Sequence, residues 1–362
     1  MKANLTNLSR RSFLAGGASS LLLAACAPAL KQTALGSPVN VPLPGNKRLK
    51  VIFHFGKHAT VEDAKEITPI LEEFKPHVVC PEGAFATEEK ARKWEDDWLN
   101  NRFAPADEYG GALAKSLILS RVKRIFLLER FNQAKSDTTR ASWGVFINKS
   151  SDSDDAFYAG LPEKVLEHYD KAVDAMVKSS VSRELEMKRV LSNFYGQLVQ
   201  RYPELSKEPE VRVVVNCGGA HTPVFKAARK MGFGEVQRKM KAPYYFSAFL
   251  VPMRMATFGK QRKRDKDTLA REVLNFHYGN LVSDKTKSSD ANTNAFVNLA
   301  TKKLGFDTLQ RVSKAVSSHS NPRSNEAIEL ALKAEGVPVP QSKAEVHAFL
   351  EKKLGPRRFT RD

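Results

Sequence analysis

Two short stretches place histidines where chemistry could be done. One is HFGKHAT, residues 54–60, and the other is NCGGAHTP, residues 216–223. Each follows an apolar run, passes through glycine and reaches a histidine: His58 in the first and His221 in the second, with His54 two residues ahead of Gly56. Laid side by side without a gap, 51–60 matches 214–223, and Gly56-Lys57-His58 falls on Gly219-Ala220-His221. A third stretch, PHVVCPEG (76–83), puts Glu82 just beyond another apolar run. An imidazole changes charge near neutral pH and offers ring nitrogens to a proton or a metal. His58, Glu82 and His221 together make a sensible ligand set for a divalent metal, which would activate water for hydrolysis. The same groups make an equally sensible metal-free set, with one histidine as general base and Glu82 orienting it. His54 is placed to share a cofactor-binding role.

These residues need strand ends to bring them together. The runs 49–55, 76–83 and 211–217 are apolar, short and bounded by turn residues, the pattern of buried strands. Between the first two, 60–74 carries Ile67, Ile70, Leu71 and Phe74 on one helical face, with Thr60 and Asp63 as its start. Strand, helix and strand in about 30 residues is the spacing of a parallel crossover. In open parallel sheets ligands bind at the carboxyl ends of the strands, and a glycine there permits a tight turn and a close approach.

Helical patterns follow over 87–103 and 110–131. A polar loop is expected at 148–155, and a long helical pattern over 162–201, interrupted near Ser179-Ser180. A helix over 223–233 and a strand over 244–251 come next. After a basic loop at 259–267 the chain reads as helical, most clearly over 324–337 and 343–355. The expected fold class is α/β: a mainly parallel central sheet flanked by helices, with a helical C-terminal appendage. The expected division is 48–255 for the α/β domain and 256–362 for the helical extension.

The 362 residues are 42% hydrophobic and 27% charged, normal for a folded globular chain. Net charge is +18, which favours anionic partners. No nucleic-acid reading motif is present, so nucleic acid is not an expected partner. No P-loop, Gly-x-Gly-x-x-Gly, Cys-x-x-Cys or Gly-x-Ser-x-Gly pattern occurs, which disfavours nucleotide enzymes and ordinary serine hydrolases. Beyond residue 26 only Cys80 and Cys217 remain, too few for a disulfide framework; a single bridge and two buried thiols are both open.

The N-terminus carries Ser9-Arg10-Arg11-Ser12-Phe13-Leu14, followed by an apolar run that ends Leu23-Ala24-Ala25-Cys26. The first motif resembles a twin-arginine export signal and the second a bacterial lipobox. The apolar run is shorter than the roughly 20 residues that span a bilayer, and it reads as a signal core that is removed. The resemblance implies a signal peptide over 1–25, lipidation of Cys26, a proline-rich tether over 26–47, and a membrane partner through the lipid. It implies export by the Tat pathway to the periplasmic side of the bacterial envelope. Ala27 stands where an inner-membrane retention residue would be Asp, so an outer-membrane location fits.

Residues 49–83 and 180–235 resemble the superfamily that includes TraB and Tiki proteins, erythromycin esterases and the haem-binding ChaN lipoproteins. Gly218-Gly219-Ala220-His221 is similar to its late motif, and PHVVCPEG to its early acidic strand, placing its glutamate on Glu82. SRELEM resembles its Arg-Asp/Glu-x-x-Met helix, placing its arginine on Arg183 and its acid on Glu184. The early turn, Gly56-Lys57-His58, is one residue shorter than the family's Gly-x-x-His and lacks its Glu, the mark of a divergent member. The resemblance implies a hydrolase of ester or peptide substrates, metal-assisted or not. The alternative it implies is a surface lipoprotein that binds haem or iron without catalysis. A histidine or tyrosine would then be the axial ligand, with Tyr244-Tyr245 and His277-Tyr278 as exposed candidates.

Overall fold

The computed structural model describes residues 44–56, 61–83, 86–100, 108–218, 221–240, 264–288 and 291–355. The chain divides into two compact units that interleave in sequence. An α/β unit takes the chain to Gln133 and 184–239; a helical unit takes 134–183 and the chain from Met240 onward. The sequence pattern places one boundary at 255/256. The helical unit in fact begins far earlier, because 134–183 is helical and supplies no strand to the sheet.

In the α/β unit the strands are β1 (Leu49–Gly56), β2 (Val78–Pro81), β3 (Ala86–Thr87), β4 (Arg130–Phe131), β5 (Val211–Gly218) and β6 (Glu235–Met240). The main sheet is parallel, in the order β2-β5-β1-β6, while β3 and β4 pair separately. The fold is therefore α/β with a parallel sheet flanked by helices and a helical C-terminal region, as the sequence pattern predicts.

β1 and β5 are fully in register from Leu49↔Val211 to Gly56↔Gly218. This is one residue out of step with the gapless sequence match. Face alternation sets the register, since a slip by one residue would send every side chain to the opposite face. Ile52, Val79 and Val214 share one face and pack with Ala64, Ile67 and Leu71. Phe53 and Phe55 point the other way, against Phe225.

The helices Val61–Lys65 and Thr68–Phe74 carry the chain from β1 to β2, and Thr222–Ala228 carries it from β5 to β6. From the adjacent pair β1 and β5 these crossovers travel in opposite directions. Right-handed crossovers then fall on opposite faces, in agreement with the two sets of apolar contacts. The carboxyl ends of β1 and β5 thus form a topological switch point, where such sheets leave a crevice.

Several helical boundaries differ from the sequence pattern. Thr60 lies outside the described residues, and 61–74 is two helices, because Pro69 starts the second and cannot continue the first. The 110–131 pattern ends as a helix at Leu119; Ile125 then bridges Val79 alongside the sheet. The expected loop at 148–155 lies inside the helix Gln133–Tyr158. Ser150 and Ser153 are buried there, and Ser153 donates to the Val165 carbonyl at 3.1 Å. The helix Pro162–Ser192 runs unbroken through the buried Ser179 and Ser180; the break comes at Asn193.

The helical unit has its own core, built from Phe157, Val273, Tyr278, Leu281, Phe296 and Val312 among others. The two clearest sequence helices appear as Asn325–Ala334 and Lys343–Leu354. Ser324 and Ser342 cap them, accepting from Ala327 N and Glu345 N at 3.2 and 3.3 Å. Among the described residues no helix is long and apolar enough to cross a membrane.

Candidate functional site

Glu82 follows the last residue of β2, and its carboxylate turns onto the end of β5. Oε2 accepts from the Gly218 backbone N–H at 2.6 Å. A Cβ on Gly218 would stand 3.2 Å from that oxygen, so glycine leaves the carboxylate its place. Oε1 lies 3.3 Å from Nε2 of His221. His221 sits at the entry of Thr222–Ala228, whose first turn is fixed by Pro223. The other ring nitrogen, Nδ1, is 3.6 Å from Oε1 of Glu184, on the α/β part of the Pro162–Ser192 helix. One turn further, Lys188 Nζ is 3.9 Å from Glu184 Oε2.

The three groups form a line: Glu184, His221, Glu82. Their side-chain exposures are 1%, 3% and 19%, so solvent meets the line at Glu82. An imidazole set between two carboxylates can pass a proton from one face of the ring to the other. A carboxylate at the outer end can exchange that proton with water or a bound molecule. The sequence pattern makes a histidine the working base with Glu82 behind it. The exposures put Glu82 in front.

His54 is buried, with Nδ1 2.7 Å from Asn216 Oδ1 across the β1–β5 pair. With the amide oxygen on that side, Nδ1 carries the ring proton; the assignment follows from the hydrogen-bond network. His54 is thus matched to Asn216, a residue the sequence pattern did not single out. Asn216 had one signal, a carboxamide closing a run of valines.

Arg183 is half-buried and belongs to the helical unit. Cys26, His58, the Gly219-Ala220 turn, Tyr244, Tyr245 and the first part of the basic loop lie outside the described residues. Among the described residues no group of three or more His, Cys, Asp or Glu side chains is arranged to hold a metal ion.

Cys80 and Cys217 are buried and are not joined in a disulfide. Cys80 stands opposite Val215, two residues before Cys217 along β5. Burial pushes the Cys80 thiol well above its usual range, which leaves it inert. His277 and Tyr278, expected to be exposed, are buried in the helical unit, and the Tyr278 hydroxyl donates to the Pro338 carbonyl.

A second charged cluster in the α/β unit is structural. Glu95 is fully buried, accepts from Leu127 N at 2.8 Å, and is paired with Arg130 and with Arg201. Burial raises the Glu95 carboxyl, and Arg130 is the main opposing influence.

No protein-family model matches the chain, and comparison with curated proteins and with solved structures gives no significant match.

Proposed function

We propose that the protein is an exported, lipid-anchored hydrolase of ester or peptide bonds that works by acid–base chemistry at Glu82 and His221. The observation that carries this reading is the Glu82–His221 contact at the switch point of the sheet, with Glu82 as its solvent-facing member. Glu82 takes the proton of an attacking water; His221 stands ready to receive charge from it, and Glu184 holds the far side of the ring. The proton then returns through Glu82 to the leaving group. Twin-arginine and lipobox motifs support the export and anchoring part, with Cys26 as the lipid-bearing residue.

The test is hydrolysis of a panel of aryl esters and peptides by the purified mature chain. Glu82→Gln and His221→Asn are each expected to lower the rate by about 100-fold or more. Hydrolysis that no substitution at either residue changes would sink the proposal. Chelation separates the two chemistries: activity that survives it supports the metal-free version, and activity restored by a divalent cation supports a metal-assisted one. Cys26→Ala is expected to move the protein from the membrane fraction to the soluble fraction.

A further inference from the structure

The helical unit holds a second carboxylic acid–imidazole pair, with the imidazole buried and the carboxyl half-buried. His277, on the helix Lys266–Thr286, lies face to face with Phe157 at 3.8 Å between ring centroids. Tyr158 and Phe276 meet it edge-on at 5.5 and 5.4 Å. Its Nε2 is buried with no hydrogen bond among the described residues, and Asp154 Oδ1 lies 3.5 Å away. Asp154 is on Gln133–Tyr158, and its side chain is 18% exposed.

Among the surrounding charges Arg323 favours an ionised Asp154 and Asp155 opposes it, and burial outweighs both. Beside Asp154 on its own helix, Asp155 is already paired with Arg323 at 2.5 Å. Arg323 also sits 4.8 Å over the Tyr158 ring. From the Pro162–Ser192 helix comes Tyr169, a half-buried phenol that itself faces Glu272 and Arg264. The cage around the imidazole is aromatic. A protonated Asp154 would give Nε2 a donor and leave no charge in the cage.

We propose that folding of the helical unit moves one proton from the imidazole of His277 to the carboxyl of Asp154, so that the pair is held neutral with no net proton gained or lost. In the unfolded chain at mildly acid pH the pair is imidazolium and carboxylate. On folding one N–H bond breaks and one O–H bond forms, and the new hydroxyl donates to Nε2. The consequence is a titratable pair that leaves stability level across mildly acid pH.

The direction of each contribution follows from burial. It lowers His277 from 6.5 to about 3. Unfolding therefore takes up a proton, and the His277 contribution to stability rises as pH rises from about 3 to 6.5. Burial raises Asp154 from 3.8 to about 7. The folded state keeps a proton that the unfolded state loses, so this contribution falls as pH rises from about 4 to 7. Between about pH 4 and 6.5 the two cancel.

Single substitutions should uncover what the pair hides. The measurement is the unfolding equilibrium of the mature chain in urea, followed by hydrogen exchange in the Lys266–Thr286 helix. Relative to the unaltered protein, Asp154→Asn should raise the unfolding constant roughly 100-fold as pH falls from 6.5 to 4. His277→Phe should raise it roughly 100-fold as pH rises over the same span, and the double variant should be level again. An Asp154→Asn profile parallel to that of the unaltered protein would overturn the proposal. Should a variant not fold, the carbon-13 spectrum of the unaltered protein at pH 5.5 decides. A neutral Asp154 carboxyl is expected there, and an ionised one overturns the proposal.

Discussion

Two of the carboxyl–imidazole contacts among the described residues are of nearly equal length and lie in different units. Glu82 meets His221 at 3.3 Å in the α/β unit, and Asp154 meets His277 at 3.5 Å in the helical unit. Their surroundings separate them. His221 has a carboxylate on each side, a backbone N–H fixes the outer carboxylate, and that carboxylate reaches solvent. His277 has aromatic rings on three sides, and burial holds it neutral. Distance between two groups does not set their role. Solvent access does not separate the pairs either, since Asp154 is 18% exposed and Glu82 19%; what faces the imidazole decides whether the pair can carry charge, and only a pair that can is fit for acid–base work.

Five substitutions would break or sharpen this contrast. The largest effect on stability is expected from Phe157→Ala, which removes the ring stacked on His277 and opens a cavity in the helical core. The cost should be about 3–5 kcal/mol in a denaturant titration. Next comes Glu82→Gln, expected to remove about 3 kcal/mol of transition-state stabilisation, read as the 100-fold loss of hydrolysis. Asp154→Asn should leave hydrolysis unchanged, and an equal loss there would erase the contrast. Gly218→Ala sets a Cβ 3.2 Å from the Glu82 carboxylate. It should cost about 1–2 kcal/mol of stability and displace Glu82, with slower hydrolysis as the readout. Arg323→Gln should be the mildest. Its ion pair with Asp155 is solvent-exposed, and its loss should move the unfolding midpoint by less than about 1 kcal/mol.

The strands β1, β2 and β5 were legible because each is a compact apolar run ending in turn residues, and those ends gave Glu82 and His221. Their register was not legible to the residue. A gapless match scores residue types, whereas the sheet pairs faces, and His54 opposite Asn216 is decided by side-chain direction. β6 went unread because EVQRKM at a sheet edge has little apolar content. The serines of 148–155 look like a loop in isolation, yet they lie in a helix that buries Ser150 and Ser153 and gives Ser153 the Val165 carbonyl. Glu184 was reachable through a motif resemblance, but Lys188 beside it was not, since an exposed-looking lysine on a helix carries no signal. The Asp154–His277 pair was invisible because its members lie on helices far apart in sequence, and what distinguishes them is the cage.

The order β2-β5-β1 has a consequence for how the protein comes into being. β1 and β2 are made early, but they do not touch; the strand between them pairs His54 with a residue 162 positions later. As the chain leaves the ribosome, its first half holds two strands of the main sheet without the strand that joins them, and the helices of 134–183 emerge before that strand arrives. Non-local pairing of this kind is slow to form, and the sheet can close only after Gly218 has been synthesised. Until then two apolar strands depend on shielding by something other than each other.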